Sequence, residues 1–142
     1  MIMLILIKIL IIFLFFLKGS IASNKDIFED AKIYFNKKDY NQSKFLFQKF
    51  LVFNPKDHSS YLYLAKIYKE EDNKNETEKN LNTALLLDPK NEEALFMLIE
   101  LELEKSNISK AEKLIDQFLL VCSTLCNNKN IIAEKIKNLK PN

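Results

Sequence analysis

Two short segments, Phe-Asn-Pro-Lys at residues 53–56 and Leu-Asp-Pro-Lys at residues 87–90, repeat one pattern. The spacing of their prolines, Pro55 and Pro89, matches a period of about 34 residues, which is typical of stacked helical repeats. Proline also disfavours helical backbone at the residue before it, so each segment predicts the end of a helix. With each proline placed at repeat position 32, three repeats are predicted, at residues 24–57, 58–91 and 92–125.

Side chains of similar size recur at equivalent positions of these repeats. Small residues at positions 8 and 20 would let the two helices of a hairpin approach closely, and large residues at positions 4, 11 and 24 would fill the space between hairpins. The third repeat departs from the pattern, with the larger Ile99 at position 8, Glu102 at position 11 and Ser123 at position 32. The residues concerned are Ile27, Tyr61 and Leu95 at position 4; Ala31, Ala65 and Ile99 at position 8; Tyr34 and Tyr68 at position 11; Ser43, Thr77 and Ala111 at position 20; and Phe47, Leu81 and Ile115 at position 24.

This pattern resembles that of the tetratricopeptide repeat (TPR), in which W-x2-L-G-x2-Y, A-x3-F and P recur with a period of about 34 residues. The resemblance covers residues 24–125 and is carried by the period, the small residues and the prolines together. It implies an all-α solenoid, a right-handed superhelix of three helical hairpins whose concave face binds a peptide or helix of another protein. The apolar periodicity of Asn130–Leu139 predicts a capping helix, so residues 126–142 are assigned to this helix and a tail.

The amino-acid composition supports an all-α fold and argues against binding to nucleic acid. The chain has one Gly and three Pro in 142 residues, too few for the turns of a β-sandwich or the phosphate loop of a dinucleotide-binding fold. Lys8 and Lys18 account for the formal net charge of +2, because the other 19 basic residues balance 19 acidic ones. The chain contains no Arg, whereas a nucleic-acid-binding protein usually presents a basic face that includes Arg.

The N-terminal residues predict export. Met1–Leu17 is apolar except for Lys8, and small residues follow at Ser20 and Ala22, at the spacing that a signal peptidase recognises. Residues 1–22 are therefore predicted to be a signal peptide that is cleaved after Ala22. An uncleaved membrane anchor is the alternative, although the apolar run is shorter than the about 20 residues that span a bilayer. Either interpretation places the protein in the periplasm, free or anchored, with no other membrane contact.

Cys122 and Cys126 are the only two cysteines, and they stand at the end of the third repeat. In an oxidising compartment their C-x3-C spacing allows a disulfide, which would pin the last repeat to the capping helix. The arrangement is similar to that of periplasmic TPR proteins of alphaproteobacteria that carry paired cysteines after the final repeat. Two free buried thiols, or a metal or redox site, are the alternatives. A metal site lacks further ligands nearby, because the only His is the distant His58.

No group of residues indicates catalysis, and no cofactor is predicted. A Ser–His or Cys–His pair would have to use His58, which lies at a predicted helix start. Three N-glycosylation sequons begin at Asn41, Asn75 and Asn107, where the second helices are predicted to begin, and these residues are interpreted as helix N-caps. The acids of the third repeat are interpreted as an ordinary charged helix surface. They are Glu92, Glu93, Glu100, Glu102 and Glu104.

The TPR resemblance implies a concave groove lined by the first helix of each repeat. Tyr63 and Lys66 are expected to face solvent in it. Lys at one end and Glu at the other favour an amphipathic partner segment. Phe28 and Lys32 stand where chaperone-binding TPRs have Lys and Asn, which argues against a clamp for a terminal carboxylate. The predicted groove residues are Phe28, Lys32, Phe35, Leu62, Tyr63, Lys66, Lys69, Phe96, Met97 and Glu100.

The sequence therefore predicts a non-catalytic protein–protein interaction scaffold or adaptor of the bacterial cell envelope, with another protein as its partner. Two alternatives stay open at this point. One is an assembly or chaperone factor of the same compartment, similar to the TPR portions of cytochrome c maturation proteins. The other is an accessory subunit fixed in an envelope complex.

Overall fold

The computed structural model describes residues 24–128, 130–132, 134 and 136. These residues contain helices and no strand, as the composition predicts. The predicted leader at residues 1–22 lies outside them, and the predicted capping helix lies partly outside them. No described helix is long and apolar enough to span a lipid bilayer. The helices described in full are α1 (Asn24–Asn36), α2 (Tyr40–Phe53), α3 (His58–Glu70), α4 (Lys74–Leu87), α5 (Glu92–Glu104) and α6 (Ile108–Val121), followed by a 3₁₀ turn at Cys126–Asn128. The described residues 130–132, 134 and 136 are also helical.

The six α-helices form three hairpins: α1 with α2, α3 with α4, and α5 with α6. Successive hairpins meet where α2 packs on α3 and where α4 packs on α5. Each helix begins and ends one full repeat period after its counterpart in the preceding hairpin. Turns of three residues join the helices within a hairpin, and turns of four residues join one hairpin to the next. The described fold is therefore one structural unit used three times.

Small side chains hold the two helices of a hairpin together. Ala31 and Ala65, at repeat position 8, are fully buried, and the residues at position 20, Ser43 and Thr77, are buried as well. The Ser43 hydroxyl donates a hydrogen bond to the Ala31 carbonyl oxygen at 2.9 Å, which joins α1 to α2 directly. A larger side chain at these positions would force the two helices apart.

The apolar side chains are buried in two clusters that follow the order of the hairpins. The first lies between the first hairpin and α3 and includes Phe47 and Ile67. The second extends from α3 to α6 and includes Leu98 and Phe118. Ile132 is buried in the second cluster, so the residues after the 3₁₀ turn help to cover its end. Both clusters draw on more than one hairpin, as expected for a repeat unit that cannot bury its apolar surface alone.

Short polar side chains cap the starts of four helices. Asp39 caps α2 by accepting a hydrogen bond from the Gln42 backbone N–H at 3.2 Å. The corresponding side chains of Asp57, Asn73 and Asn91 cap α3, α4 and α5 in the same way. Caps of this kind contribute about 1 kcal/mol each, because they satisfy a backbone donor that has no partner within the helix.

The interpretation of the sequon asparagines as N-caps is wrong for Asn41 and Asn75, whereas Asn107 does occupy the N-cap position of its helix. Asn41 and Asn75 are the second residues of α2 and α4, and both are exposed. Asn107 does precede α6, but it makes no side-chain capping bond. Its side-chain amide instead donates to the Glu102 carboxylate at 2.9 Å. The sequence shows only that Asn is present near each helix start, and the fold decides which Asn reaches a backbone donor.

Three residues have left-handed backbone at one repeat position. Lys38, Asp72 and Ser106, with φ angles of 60°, 53° and 58°, each occupy the middle of the turn within a hairpin. The turn requires this backbone because the next N–H bonds back across it: Asp39 N–H donates to the Tyr34 carbonyl oxygen at 3.0 Å. The conformation costs a residue other than Gly roughly 1–2 kcal/mol, since its Cβ crowds a carbonyl oxygen.

Lys38→Gly and Ser106→Gly are therefore expected to stabilise the protein by about 0.5–1 kcal/mol each, since Gly adopts left-handed backbone without crowding. Thermal unfolding followed by circular dichroism measures the change. Lys37→Gly is the matched control, one residue earlier and without a positive φ, and it should lower the melting temperature. A lower melting temperature for all three variants would show that these turns do not need the left-handed residue.

Candidate functional site

The first helices of the three hairpins, α1, α3 and α5, lie side by side and form one surface, here called the A-helix face. The Tyr63 ring of α3 contacts Phe28 and Phe35 of α1, with ring centroids 6.2 and 5.1 Å apart. On the other side of α3, Lys66 Nζ lies 2.8 Å from the Glu93 carboxylate of α5. All the predicted groove residues belong to these three helices.

Tyr63 packs between the first two hairpins and is half-buried. Its ring stacks on Phe47 of α2, with centroids 4.9 Å apart and an interplanar angle of 13°. Lys66 Nζ lies 4.9 Å from the centroid of the same ring. Aromatic pairs of this kind contribute about 0.5–1.5 kcal/mol beyond the burial of their area. Tyr63 therefore stabilises the junction of two hairpins and is only partly exposed to the solvent that it was expected to face.

Leu62 and Met97, two other predicted groove residues, are core residues. Each is only 8% exposed and belongs to the larger apolar cluster. Phe28, Phe35 and Phe96 are half-buried, so part of each ring remains at the surface. The apolar surface that the A-helix face presents therefore comes from these phenylalanines and not from Leu62 or Met97.

The three predicted groove lysines are paired with glutamates of the same face. The sequence suggested Lys at one end of the groove and Glu at the other. The structure has these lysines on α1 and α3 and pairs each of them locally, Lys32 within α1 and Lys66 and Lys69 across to α5. Partly exposed pairs of this kind contribute about 0–1 kcal/mol each. The pairs, with their Nζ–Oε distances, are Lys32–Glu29 at 3.1 Å, Lys66–Glu93 at 2.8 Å and Lys69–Glu100 at 3.2 Å.

An open depression of about 660 Å³ lies over the third hairpin. Glu93, Phe96 and Glu100 of α5 line it, together with Thr124 and Leu125 from the loop after α6. Phe96 and Glu100 were predicted to line the groove, whereas Thr124 and Leu125 were not. These two come at the end of the last repeat and reach α5 only because the loop folds back. The C-x3-C spacing around them was the one sequence signal of a tight loop.

The cysteines close this loop at its base. Their Sγ atoms lie 2.02 Å apart, the distance of a disulfide bond. Cys122 is the residue that follows α6, and Cys126 begins the 3₁₀ turn. The pair therefore holds the end of the last repeat helix to the residues that lead towards Ile132.

Glu92, the first residue of α5, anchors the loop from the other side. Its carboxylate accepts hydrogen bonds from the backbone N–H groups of Thr124 at 3.0 Å and Leu125 at 2.9 Å. The Ser123 hydroxyl donates to it at 2.6 Å. These bonds, first of all the one from Ser123, lower the pKa of Glu92 to about 2. Glu92 is therefore a structural residue that fixes one wall of the depression.

Glu102 is fully buried, which corrects its interpretation as part of a charged helix surface. It is 0% exposed, and its carboxylate accepts hydrogen bonds from Lys110 Nζ at 2.8 Å and Asn107 Nδ2 at 2.9 Å. A buried carboxylate persists only when it is paired in this way. Lys110 also bonds Glu78 of α4, and hydrogen bonds from Lys105 and Lys110 lower the pKa of Glu78 to about 2. The network therefore joins the second hairpin to the third.

The described residues form a contact surface on the A-helix face. No group of three or more His, Cys, Asp and Glu among them could hold a metal ion. His58 lies at the start of α3, with Nδ1 at 3.8 Å from the Asp88 carboxylate. The A-helix face presents partly exposed aromatic rings beside paired charges, an arrangement that suits contact with an amphipathic segment.

Several solved structures are similar to this one. The first TPR of Spaghetti (RPAP3), bound to an HSP90 peptide, has a TM-score of 0.72 and 16% sequence identity, covering 82% of this chain and 94% of that one. The chain has the TPR fold. A second similar structure is SycD of Yersinia enterocolitica, a type III secretion chaperone in complex with a peptide of the translocator YopD. It has a TM-score of 0.70 and 15% sequence identity, covering 85% of this chain and 96% of that one. The Sgt2 TPR domain from Aspergillus fumigatus has a TM-score of 0.65 and 16% identity, covering 84% and 85%. Neither a family model nor a curated protein matches the sequence.

Tyr63→Ala is expected to destabilise the protein by about 2–4 kcal/mol, because it removes a half-buried ring from a junction of two hairpins. Tyr63→Phe keeps the ring and should change the stability by less than about 0.5 kcal/mol. Urea denaturation of both variants measures the difference. Equal stability of Tyr63→Ala and the wild type would show that the Tyr63 ring does not stabilise the junction.

The lowered pKa of Glu92 predicts that this residue stabilises the folded protein at neutral pH and that the stabilisation is lost in acid. Its pKa of about 2 in the folded protein lies below the value of about 4.3 for an unfolded Glu, so the folded state binds fewer protons. The stabilisation is complete above about pH 5 and is lost as the pH falls towards about 2. The wild type should therefore melt above Glu92→Gln at neutral pH, with a difference that shrinks to nothing in acid. Thermal scans of both proteins across this range test it, and a pH-independent difference would contradict it.

Proposed function

We propose that this protein is a non-catalytic adaptor that binds a segment of another protein on its A-helix face. The observation that carries the proposal is the exposed part of three rings on that face, Phe28, Phe35 and Phe96. In the TPR fold the first helices line the concave surface. An amphipathic helix or extended segment would cover these rings with its own apolar side chains and remove them from water.

The similar structures support this class of function. The RPAP3 TPR holds a peptide of HSP90, and the SycD structure holds a peptide of YopD. In each case the TPR fold receives a short segment of another protein. The same use of the fold in this chain requires only a surface with exposed apolar rings, which the A-helix face provides.

The paired charges indicate what kind of partner suits this face. Lys66 and Lys69 already contact Glu93 and Glu100, so a carboxylate of the partner would have to compete with an internal glutamate. The net gain from such an exchange is small. We therefore expect the affinity to depend on apolar contacts and to change little with salt, unlike that of complexes steered by unpaired charge.

We place this activity in the bacterial cell envelope, in the periplasm or anchored so as to face it. The apolar segment Met1–Leu17 favours export. The cysteines at disulfide distance suit an oxidising compartment. A chaperone or assembly factor of the same compartment is the second candidate, and the similarity to the secretion chaperone SycD supports it.

A photo-crosslinking amino acid in place of Phe96 tests the proposal. Phe96 lines the depression on the A-helix face, so irradiation of intact envelopes should attach the partner at this position. Mass spectrometry then identifies the adduct. Raising the salt concentration before irradiation should leave the yield nearly unchanged, since the contact is apolar.

The matched control carries the same crosslinker at Phe45, an exposed aromatic residue of α2 outside the A-helix face. Adducts at residue 96 that are absent at residue 45 support the proposal. Adducts of equal yield at both positions, or at residue 45 alone, overturn it. One dominant adduct favours an adaptor, whereas many adducts of unrelated size favour a chaperone.

A further inference from the structure

The turn that follows α6 lacks two features of the equivalent turns after α2 and α4. Those earlier turns have a proline as their second residue, Pro55 and Pro89, which fixes the backbone there. They end on Asp57 and Asn91, whose side chains cap the next helix. The turn after α6, residues 122–125, has a serine and a leucine at these two places. A leucine side chain cannot accept a hydrogen bond, so this turn needs other contacts to hold its shape.

A disulfide and a carboxylate hold the turn after α6 instead. The disulfide joins Cys122, the first residue of the turn, to Cys126, the residue directly after it, and so spans the whole turn. The Glu92 carboxylate accepts hydrogen bonds from the backbone N–H groups of Thr124 and Leu125. Hydrogen bonds near a surface exchange with water at little net cost, whereas a covalent bond restrains the chain whether or not they are made. The disulfide therefore keeps these N–H groups in place for Glu92.

One wall of the depression on the A-helix face depends on this turn. Thr124 and Leu125 line the depression together with Phe96 of α5. The wall formed by α5 is independent of the turn, because α5 packs between α4 and α6. The chain after the turn leads to Ile132, which is buried in the larger apolar cluster. Release of the turn would therefore change one wall of the depression and leave the core of the fold in place.

We propose that the Cys122–Cys126 disulfide is a redox switch for partner binding at this depression. In the oxidised protein the closed turn presents Thr124 and Leu125 to the partner segment. In the reduced protein the turn opens, and the partner binds more weakly. The closed form binds more tightly because a wall that is already in place costs less to order when the partner arrives. The switch rests on the adaptor function proposed above and regulates it.

A dithiol reductant supplies the chemistry of the switch. Both cysteines are partly exposed, so a thiolate of the reductant can approach them. Its attack on one sulfur forms an intermolecular disulfide and breaks the Cys122–Cys126 bond, and the released sulfur takes up a proton. The second thiol of the reductant then displaces the other cysteine. Two electrons and two protons pass to the protein, which ends with two thiols, and the reductant ends as a disulfide.

Hydrogen exchange tests the opening of the turn without a partner. The protein purified from envelopes is compared with and without dithiothreitol, and mass spectrometry follows exchange in a peptide that covers residues 122–128. This peptide should exchange at least about tenfold faster in the reduced protein, because Glu92 no longer holds its N–H groups. Peptides from α1 to α4 should exchange alike in both states.

Two results of this exchange experiment overturn the proposal. Equal exchange of residues 122–128 in both states would show that Glu92 holds the turn without the disulfide. Faster exchange throughout the reduced protein would show that the disulfide is a general stabiliser and not a local switch.

Crosslinking tests the effect of the switch on binding. Envelopes that contain the protein with the photo-crosslinking amino acid in place of Phe96 are irradiated with and without dithiothreitol. The yield of the adduct should fall at least about threefold on reduction. Cys122→Ser/Cys126→Ser should give the low yield in both conditions. That insensitivity would show that dithiothreitol acts through this disulfide and not through a disulfide of the partner.

The crosslinking outcomes separate the switch from the adaptor function. Equal yields from the oxidised protein, the reduced protein and the double serine variant overturn the switch and leave the adaptor function standing. A double serine variant whose yield still falls with dithiothreitol also overturns the switch, since another disulfide then responds. No adduct at residue 96 in the oxidised protein overturns both.

Discussion

Each hairpin carries apolar side chains that only the neighbouring hairpin can cover, and the rest of the structure depends on this contact. Phe47 of the first hairpin stacks on Tyr63 of the second, and Leu81 of the second is buried in one cluster with Leu95 of the third. Because each repeat contacts only its neighbours, stability is approximately a sum of hairpin and junction contributions. The A-helix face is assembled by the same junctions. Its geometry therefore depends on residues, such as Tyr63, that belong both to the packing and to the surface.

An ion pair joins the hairpins at each of the two junctions. The two pairs use equivalent repeat positions, but the positive and the negative residue are exchanged between them. Lys44 Nζ lies 2.6 Å from the Glu71 carboxylate at the first junction, and Lys105 Nζ lies 2.6 Å from the Glu78 carboxylate at the second. Glu78 stands at the repeat position of Lys44, and Lys105 stands at that of Glu71, each in the following hairpin. The second hairpin thus contributes the acid at both junctions. If the third hairpin packed directly on the first, Lys44 would meet Lys105, so the charges favour the order in which the hairpins stack.

The site was less predictable than the fold, because exposure depends on neighbours that are far away in sequence. The helical period placed Phe28, Phe35 and Phe96 on the first helices, where the structure has them. It could not separate them from Leu62 and Met97, which are buried in the apolar cluster that the second and third hairpins share. Thr124 and Leu125 were missed for the opposite reason: they come at the end of the last repeat and line the depression only because Glu92 binds their N–H groups.

The sequence by itself determined the helical class and the repeat period, because both follow from local preferences: proline ends helices, Gly is nearly absent, and apolar residues recur with a helical spacing. Only the tertiary structure decided the state of individual polar groups. Glu102 stands on a helix whose other acids are partly exposed, yet it is fully buried because Lys110 and Asn107 of the following turn and helix bind its carboxylate. Periodicity gives the face on which a residue lies. Whether that face meets water, a partner charge or another hairpin depends on three-dimensional contacts that no local pattern encodes.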